Sequence, residues 1–144
     1  MDMEKLLLQQ RDFFNTDKTK NVDFRLNQLK KAKNILKENE ELLYEAIYKD
    51  FKKSEFETYT TELSLLYHEI NSFIKNIKKW SRRQKVATGM ANFPAKSYII
   101  PEPVGVTLVI GAWNYPYQLS LLPAITSIAA GNTVILKPSE LPAN

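Results

Sequence analysis

The last third of the chain constrains its fold most. Residues 97–144 read SYIIPEPVGVTLVIGAWNYPYQLSLLPAITSIAAGNTVILKPSELPAN. Residues 104–110 are apolar apart from Gly105 and Thr107, with no alternation of polar and apolar positions. A strand covered on both faces has that look, as in parallel sheets. A turn comes next, Gly111-Ala112-Trp113-Asn114-Tyr115, and then a helical pattern from Pro116, a residue suited to a helix's first turn. Leu121, Leu122, Ile125, Ile128 and Ala129 form its inward side, and Pro123 inside the pattern predicts a kink or a split. Gly131 falls where such a helix closes, and residues 133–136 return as a second apolar run. Two buried runs joined by a helix make a right-handed βαβ unit with parallel strands. The fold class is α/β.

The front of the chain is helical. Residues 1–14 carry Leu7, Leu8 and Phe14 on one side, and residues 16–21 form a polar break. Val22, Leu26, Leu29, Ala32 and Leu36 then follow helical spacing. Asn39 is placed to cap a third helix, with Glu40 and Glu41 in its first turn and Leu43, Ile47 and Phe51 inward. Ser54 is placed to cap a fourth, with Glu57 completing a capping box. That fourth helix has the clearest period: Tyr59, Leu63, Leu66, Ile70, Phe73, Ile77 and Trp80 alternate steps of four and three. The stripe suits a coiled-coil partner helix or a helix packed in its own domain, and its three aromatics favour the second. Residues 81–97 read as a helix end and a loop, leading to a strand over 96–100. Pro101 and Pro103 make the segment after that strand an edge or a turn. The expected organisation is a helical region with connecting loop over 1–97 and the start of a sheet domain over 98–144.

Composition narrows the function classes. No cysteine is present, so the chain holds no disulfide, no thiolate metal site and no cysteine nucleophile. One histidine excludes a multi-histidine metal site, and no metal is expected. His68 lies off the apolar stripe and reads as a solvated helix residue. No apolar run reaches the ~18 residues of a membrane span. The first residues are too acidic and too broken by polar positions for a signal peptide, which leaves the cytoplasm as the expected location. Residues 98–144 carry only Glu102, Lys137 and Glu140, whereas the chain as a whole is +4. The charge therefore sits on the helical front. Lys78, Lys79, Arg82, Arg83 and Lys85 around Trp80 suit phosphate backbones or a solvated helix end; the mixed sign elsewhere favours the latter, with no nucleic acid.

Ligands of open α/β sheets bind beyond the carboxyl ends of the strands. Both polar clusters fall there: Trp113-Asn114 after the first strand and Lys137-Pro138-Ser139-Glu140 after the second. Adjacent strands lie ~5 Å apart, so the clusters line one crevice. The usual G-x-G-x-x-G fingerprint is absent, and Pro116 removes a backbone donor, which disfavours a pyrophosphate at this helix start. On the residues alone, Asn114 reads first as a turn residue, and a surface ion pair stays open as the alternative for Lys137 with Glu140.

These motifs resemble the aldehyde dehydrogenases, most of all the class 3 branch that acts on fatty and aromatic aldehydes. Glu102-Pro103-Val104-Gly105-Val106, Ile110-Gly111-Ala112-Trp113-Asn114-Tyr115-Pro116, Ala129-Ala130-Gly131-Asn132 and Leu136-Lys137-Pro138-Ser139-Glu140 recur there at this spacing. Arg25-Leu26-Asn27-Gln28-Leu29 resembles that family's R-x-x-Q-L helix, so the likeness covers nearly the whole chain. It implies N-terminal helices and the first βαβ of a Rossmann-like parallel sheet, an incomplete aldehyde dehydrogenase fold. It implies oxidation of an aldehyde substrate to a carboxylic acid through a cysteine thioester, with NAD or NADP, in a homodimer. Asn114 matches the oxyanion-hole asparagine. Lys137 and Glu140 match the pair that holds the adenosine ribose, with Ser139 between them, and Ile110, Gly111, Ala112 and Trp113 match the lining of the cofactor cleft. The cysteine, the glutamate base and the glycine-rich loop of that mechanism are expected C-terminal to residue 144. The expectation is thus an inactive, poorly stable N-terminal portion; the rival is a non-catalytic helical interaction module or gene relic.

Overall fold

The computed structural model describes residues 2–142 and 144, so the helix expected from residue 1 falls outside the described residues at Met1. α1 (Met3–Asn15) opens on Asp2, whose carboxylate accepts from the Glu4 and Lys5 amides. α2 (Val22–Glu38) opens on Asn21, which accepts from the Phe24 amide. Each cap satisfies donors that a helix start leaves without partners. On α1, Leu7 and Phe14 are half-buried but Leu8 is 52% exposed. Neighbouring helix residues point about a quarter-turn apart, and Leu8 falls off the line through Leu7 and Phe14.

α3 (Glu40–Phe51) has no side-chain cap of its own. Asn39 instead turns its amide back onto the Ile35 carbonyl at 2.7 Å and closes α2. At a one-residue junction the same side chain serves either helix, and here it takes the orphan carbonyl. Ser54 caps the next helix as expected, accepting from the Glu57 amide at 3.1 Å. That helix is α4 (Glu55–Thr58), which runs through a single π turn (Tyr59–Leu63) into α5 (Ser64–Trp80). The π turn inserts an extra residue into the helical repeat. Glu62 lies with Leu63, Leu66 and Ile70 on the inward side, all 0% exposed. The stripe packs against α2 and α6 within one core, so it is not a free coiled-coil seam; its ends, Tyr59 and Trp80, stay exposed.

Residues 81–97, expected as loop, contain β1 (Gln84–Val86), antiparallel to β2 (Ser97–Ile99). Three residues are too few to show a period in sequence. The βαβ unit is present: β3 (Val106–Ile110) and β4 (Thr133–Lys137) are parallel, joined by α6 (Pro116–Ala130). Pro123 neither splits nor ends α6. It lies on the exposed side of the helix, where a missing ladder hydrogen bond costs least. Thr107 meets Ser127 of α6 at 2.7 Å, and Thr133 donates to the Gln10 carbonyl of α1, so the two helices cover opposite faces of the strand pair. The coverage expected on both faces is only partial. Beyond the reach of α1, Leu108 and Ile110 are 57% and 67% exposed.

Both ends of α6 are held by the N-terminal helices. At its C-terminus Gly131 adopts φ 97°, and the Gly131 and Asn132 amides donate to Ile128 and Ser127. This is the paired closure that favours glycine. The buried Arg25 guanidinium of α2 donates to the Ala129 carbonyl at 3.1 Å, to the Lys20 carbonyl and to Ser81 Oγ; burial lowers its pKa. A cation there complements the helix dipole.

Three tyrosines bind this helical layer together. Tyr44 and Tyr67 donate to opposite oxygens of Glu40, and Tyr117 of α6 donates to the Leu43 carbonyl at 2.9 Å. Burial first, then Glu40, pushes Tyr44 up to about 12 and also raises Tyr67; burial, then Glu62 and Asp50, pushes Tyr117 up to about 12. A phenol whose folded pKa exceeds the unfolded value of ~10 contributes stability that is complete below pH ~10 and lost as pH rises through the folded value. We expect Tyr44 and Tyr117 to ionise only near pH 12, and Tyr67 likewise well above the usual phenol range, together with loss of helix. Tyrosinate absorbance recorded alongside circular dichroism checks this. Ionisation of these three near pH ~10 with helices intact counts against it.

Candidate functional site

The parallel register sets the site. Ile110 lies opposite Lys137, and the Gly111 amide donates to the Lys137 carbonyl at 2.9 Å. The segments 111–114 and 137–140 therefore leave the sheet side by side, as their positions in the sequence predict. Gly111 is buried, and a Cβ there would lie 1.9 Å from Ser120 Oγ. Glycine lets the first turns of α6 close onto the strand end. Ile110, Ala112, Trp113 and Asn114 are exposed, and Trp113 stacks on Phe51 of α3 at 6.3 Å and 28°.

Asn114 is held from an unexpected direction. Its carbonyl accepts from Lys53 Nζ at 2.9 Å, and its exposed side-chain amide is engaged by none of the described residues. Lys53 Nζ also lies 4.2 Å from the centre of the Tyr115 ring and donates to Glu62 Oε1 at 3.1 Å. The Glu62 carboxylate is 0% exposed and the Lys53 side chain 13% exposed. The second oxygen of Glu62 accepts from the Tyr117 and Gln118 amides at 2.8 and 3.3 Å. These are the second and third residues of α6, after Pro116, which has no amide hydrogen to offer. Glu62 thus caps α6 from another helix, in place of the missing N-cap side chain, and its charge suits the positive helix end.

On the other strand, Lys137 Nζ pairs with Glu140 at 3.1 Å, both side chains being more than half exposed. Ser139 Oγ accepts from the Leu141 amide. A cavity of about 330 Å³ lies between α3 and α6, with Ile47, Asp50, Tyr117, Ser120 and Ser139 among its walls. No hydrogen bond between described residues links the Asn114 side chain to the Lys137–Glu140 pair. Sequence reasoning missed Lys53 and Glu62. Thr58, Glu62, Leu66 and Ile70 repeat every four residues, so a carboxylate on a buried line was readable; Lys53, between two helices, carries no comparable signal. The described residues contain no cluster of metal-ligating side chains and no helix long and apolar enough to cross a membrane.

The model of the aldehyde dehydrogenase family matches residues 2–143. The 4,4'-diaponeurosporen-aldehyde dehydrogenase of Staphylococcus aureus is 43% identical over 142 residues, covering 99% of this chain and 31% of that protein. Aldehyde dehydrogenase family 3 member B1 of Bos taurus is 40% identical over 134 residues, covering 93% and 29%. Among solved structures, the substrate-bound state of Staphylococcus aureus AldH superposes with a TM-score of 0.91 at 42% identity, covering 97% of this chain and 31% of that one. The chain thus spans about 30% of the length of these relatives.

Proposed function

The chain belongs to the aldehyde dehydrogenase family, and on that premise we propose that it supplies the first share of an NAD(P)-dependent aldehyde-oxidising site. The observation that carries the reading is the pairing of Ile110 with Lys137, which sets Asn114 and the Lys137–Glu140 pair at the carboxyl ends of adjacent parallel strands. Residues 98–144 are then the start of a Rossmann-like NAD(P)-binding domain, and residues 1–97 the helical region that braces it. The interaction-module reading has less support, because the apolar stripe of α5 is buried in the chain's own core.

The donor set fits one part of a dinucleotide and not another. An exposed ammonium beside an exposed carboxylate matches vicinal ribose hydroxyls, which both donate and accept. The start of α6 does not fit a pyrophosphate, because a buried carboxylate already caps it. Lys137 and Glu140 would therefore hold the ribose, with Ile110, Ala112 and Trp113 along the cleft and Gly111 shaping it from below. The bound cofactor's chemistry is to accept hydride. Asn114 acts on the substrate instead. Its side-chain N–H donates to the aldehyde oxygen as a thiolate attacks the carbonyl carbon and negative charge gathers on that oxygen. The chain itself has no cysteine, so that thiolate is not among its residues. A homodimer in the cytoplasm completes the reading.

Cofactor titration tests it. Lys137→Ala is expected to weaken NAD binding ~10-fold, the effect of losing one charge-assisted hydrogen bond. Glu140→Gln is expected to move preference towards NADP, because a carboxylate at the ribose repels a 2′-phosphate. Fluorescence titration of both nucleotides reads the two effects. An unchanged NAD to NADP ratio in Glu140→Gln removes Glu140 from the ribose.

A further inference from the structure

We propose that Lys53 and Glu62 are positioning residues of the aldehyde-oxidising reaction: through the Asn114 carbonyl and the first amides of α6, they fix where the Asn114 side chain points. This rests on the reading of Asn114 as the oxyanion donor. The peptide after β3 must turn sharply before α6 begins, and Asn114 and Tyr115 lie in that turn with no side-chain cap of the helix's own. Two contacts restrain it from outside. Lys53 Nζ grips the Asn114 carbonyl at 2.9 Å, and Glu62 grips the Tyr117 and Gln118 amides, so the turn is held on both sides of Tyr115. The two grips are joined to each other at 3.1 Å, and Tyr115 is closed over the ammonium at 4.2 Å.

Both groups come from one short stretch of the helical front, on either side of α4. Glu62 lies within the π turn Tyr59–Leu63 and is fully buried. Turns of this kind recur at functional sites. The exposed amide of Asn114 is thereby carried on a backbone held on both sides of Tyr115, while its own donors are engaged by none of the described residues. Preorganised donors act because they need no reorientation as charge develops, and an error of ~1 Å in placing such a group costs up to ~10²-fold in rate.

The test uses a full-length dehydrogenase carrying this segment. Lys53→Met keeps the stem against Tyr115 and removes the grip on the carbonyl. It is expected to slow acyl-enzyme formation ~10–100-fold with the NAD dissociation constant unchanged. In an Asn114→Ala background the same change is expected to cost less than about twofold, because nothing is left to position. Glu62→Gln is expected to give the same pattern with a smaller loss, and it carries the comparison if Lys53→Met does not melt cooperatively. A pair that serves only as a structural staple would lower the melting temperature and slow both backgrounds equally; that outcome overturns the proposal. A slow Asn114→Ala enzyme with an unaffected Lys53→Met enzyme also overturns it, and leaves the oxyanion reading standing. An Asn114→Ala enzyme of full rate removes the oxyanion reading, and this proposal with it.

Discussion

Replacing Asn114 with alanine, in a full-length dehydrogenase carrying this segment, is expected to slow acyl-enzyme formation by ~10²–10³-fold. The residue is exposed at the carboxyl end of β3, its carbonyl is tied to Lys53, and its side-chain amide has no described partner. A free donor on a fixed backbone is what charge developing on a carbonyl oxygen requires. Removing it takes away an interaction made mainly in the transition state, so kcat and kcat/KM fall together while cofactor affinity holds. Single-turnover kinetics separate these quantities. A loss of NAD affinity as large as the loss of rate would move Asn114 to the cofactor cleft, and an undiminished rate would leave it a turn residue.

The largest effect on stability is expected at Glu62. Glu62→Ala removes a fully buried carboxylate that serves three donors: Lys53 Nζ and the amides of Tyr117 and Gln118. The ammonium is then left nearly buried without its counter-charge, and α6 loses its cap. Breaking one side of such a pair costs ~3–5 kcal/mol, against a total of ~5–15 kcal/mol for a domain. Urea unfolding followed by circular dichroism measures the loss. The double variant Glu62→Ala with Lys53→Met is expected to recover part of it, because no uncompensated charge remains. A single variant as stable as the parent would show that water reaches and solvates the pair.

Much of this architecture was legible because its signals are local. The apolar run before Gly111, the proline at the start of α6 and the glycine at its end each dictate one local conformation, and the structure carries all three. The same holds for Ser54 and for the inward residues of α2. Legibility failed where two elements compete or where the partner is distant. Asn39 faced two helices and served the earlier one. Pro123 obeyed burial rather than propensity, since an exposed gap in the ladder is cheap. Glu62 was legible only in part: it lies on the four-residue line through Thr58, Leu66 and Ile70, but the more regular stripe through Tyr59 and Leu63 leaves it out. Lys53 was invisible, because its meaning lies in Asn114, 61 positions along the chain.

Arg25 and Glu62 hold opposite ends of α6, and both precede it in the sequence. The helical front therefore presents two charged sockets of opposite sign, one at each end of α6. A helix entering the wrong way round would set its amides against the guanidinium and its carbonyls against the carboxylate. The two charges therefore favour one direction of the first crossover of the sheet.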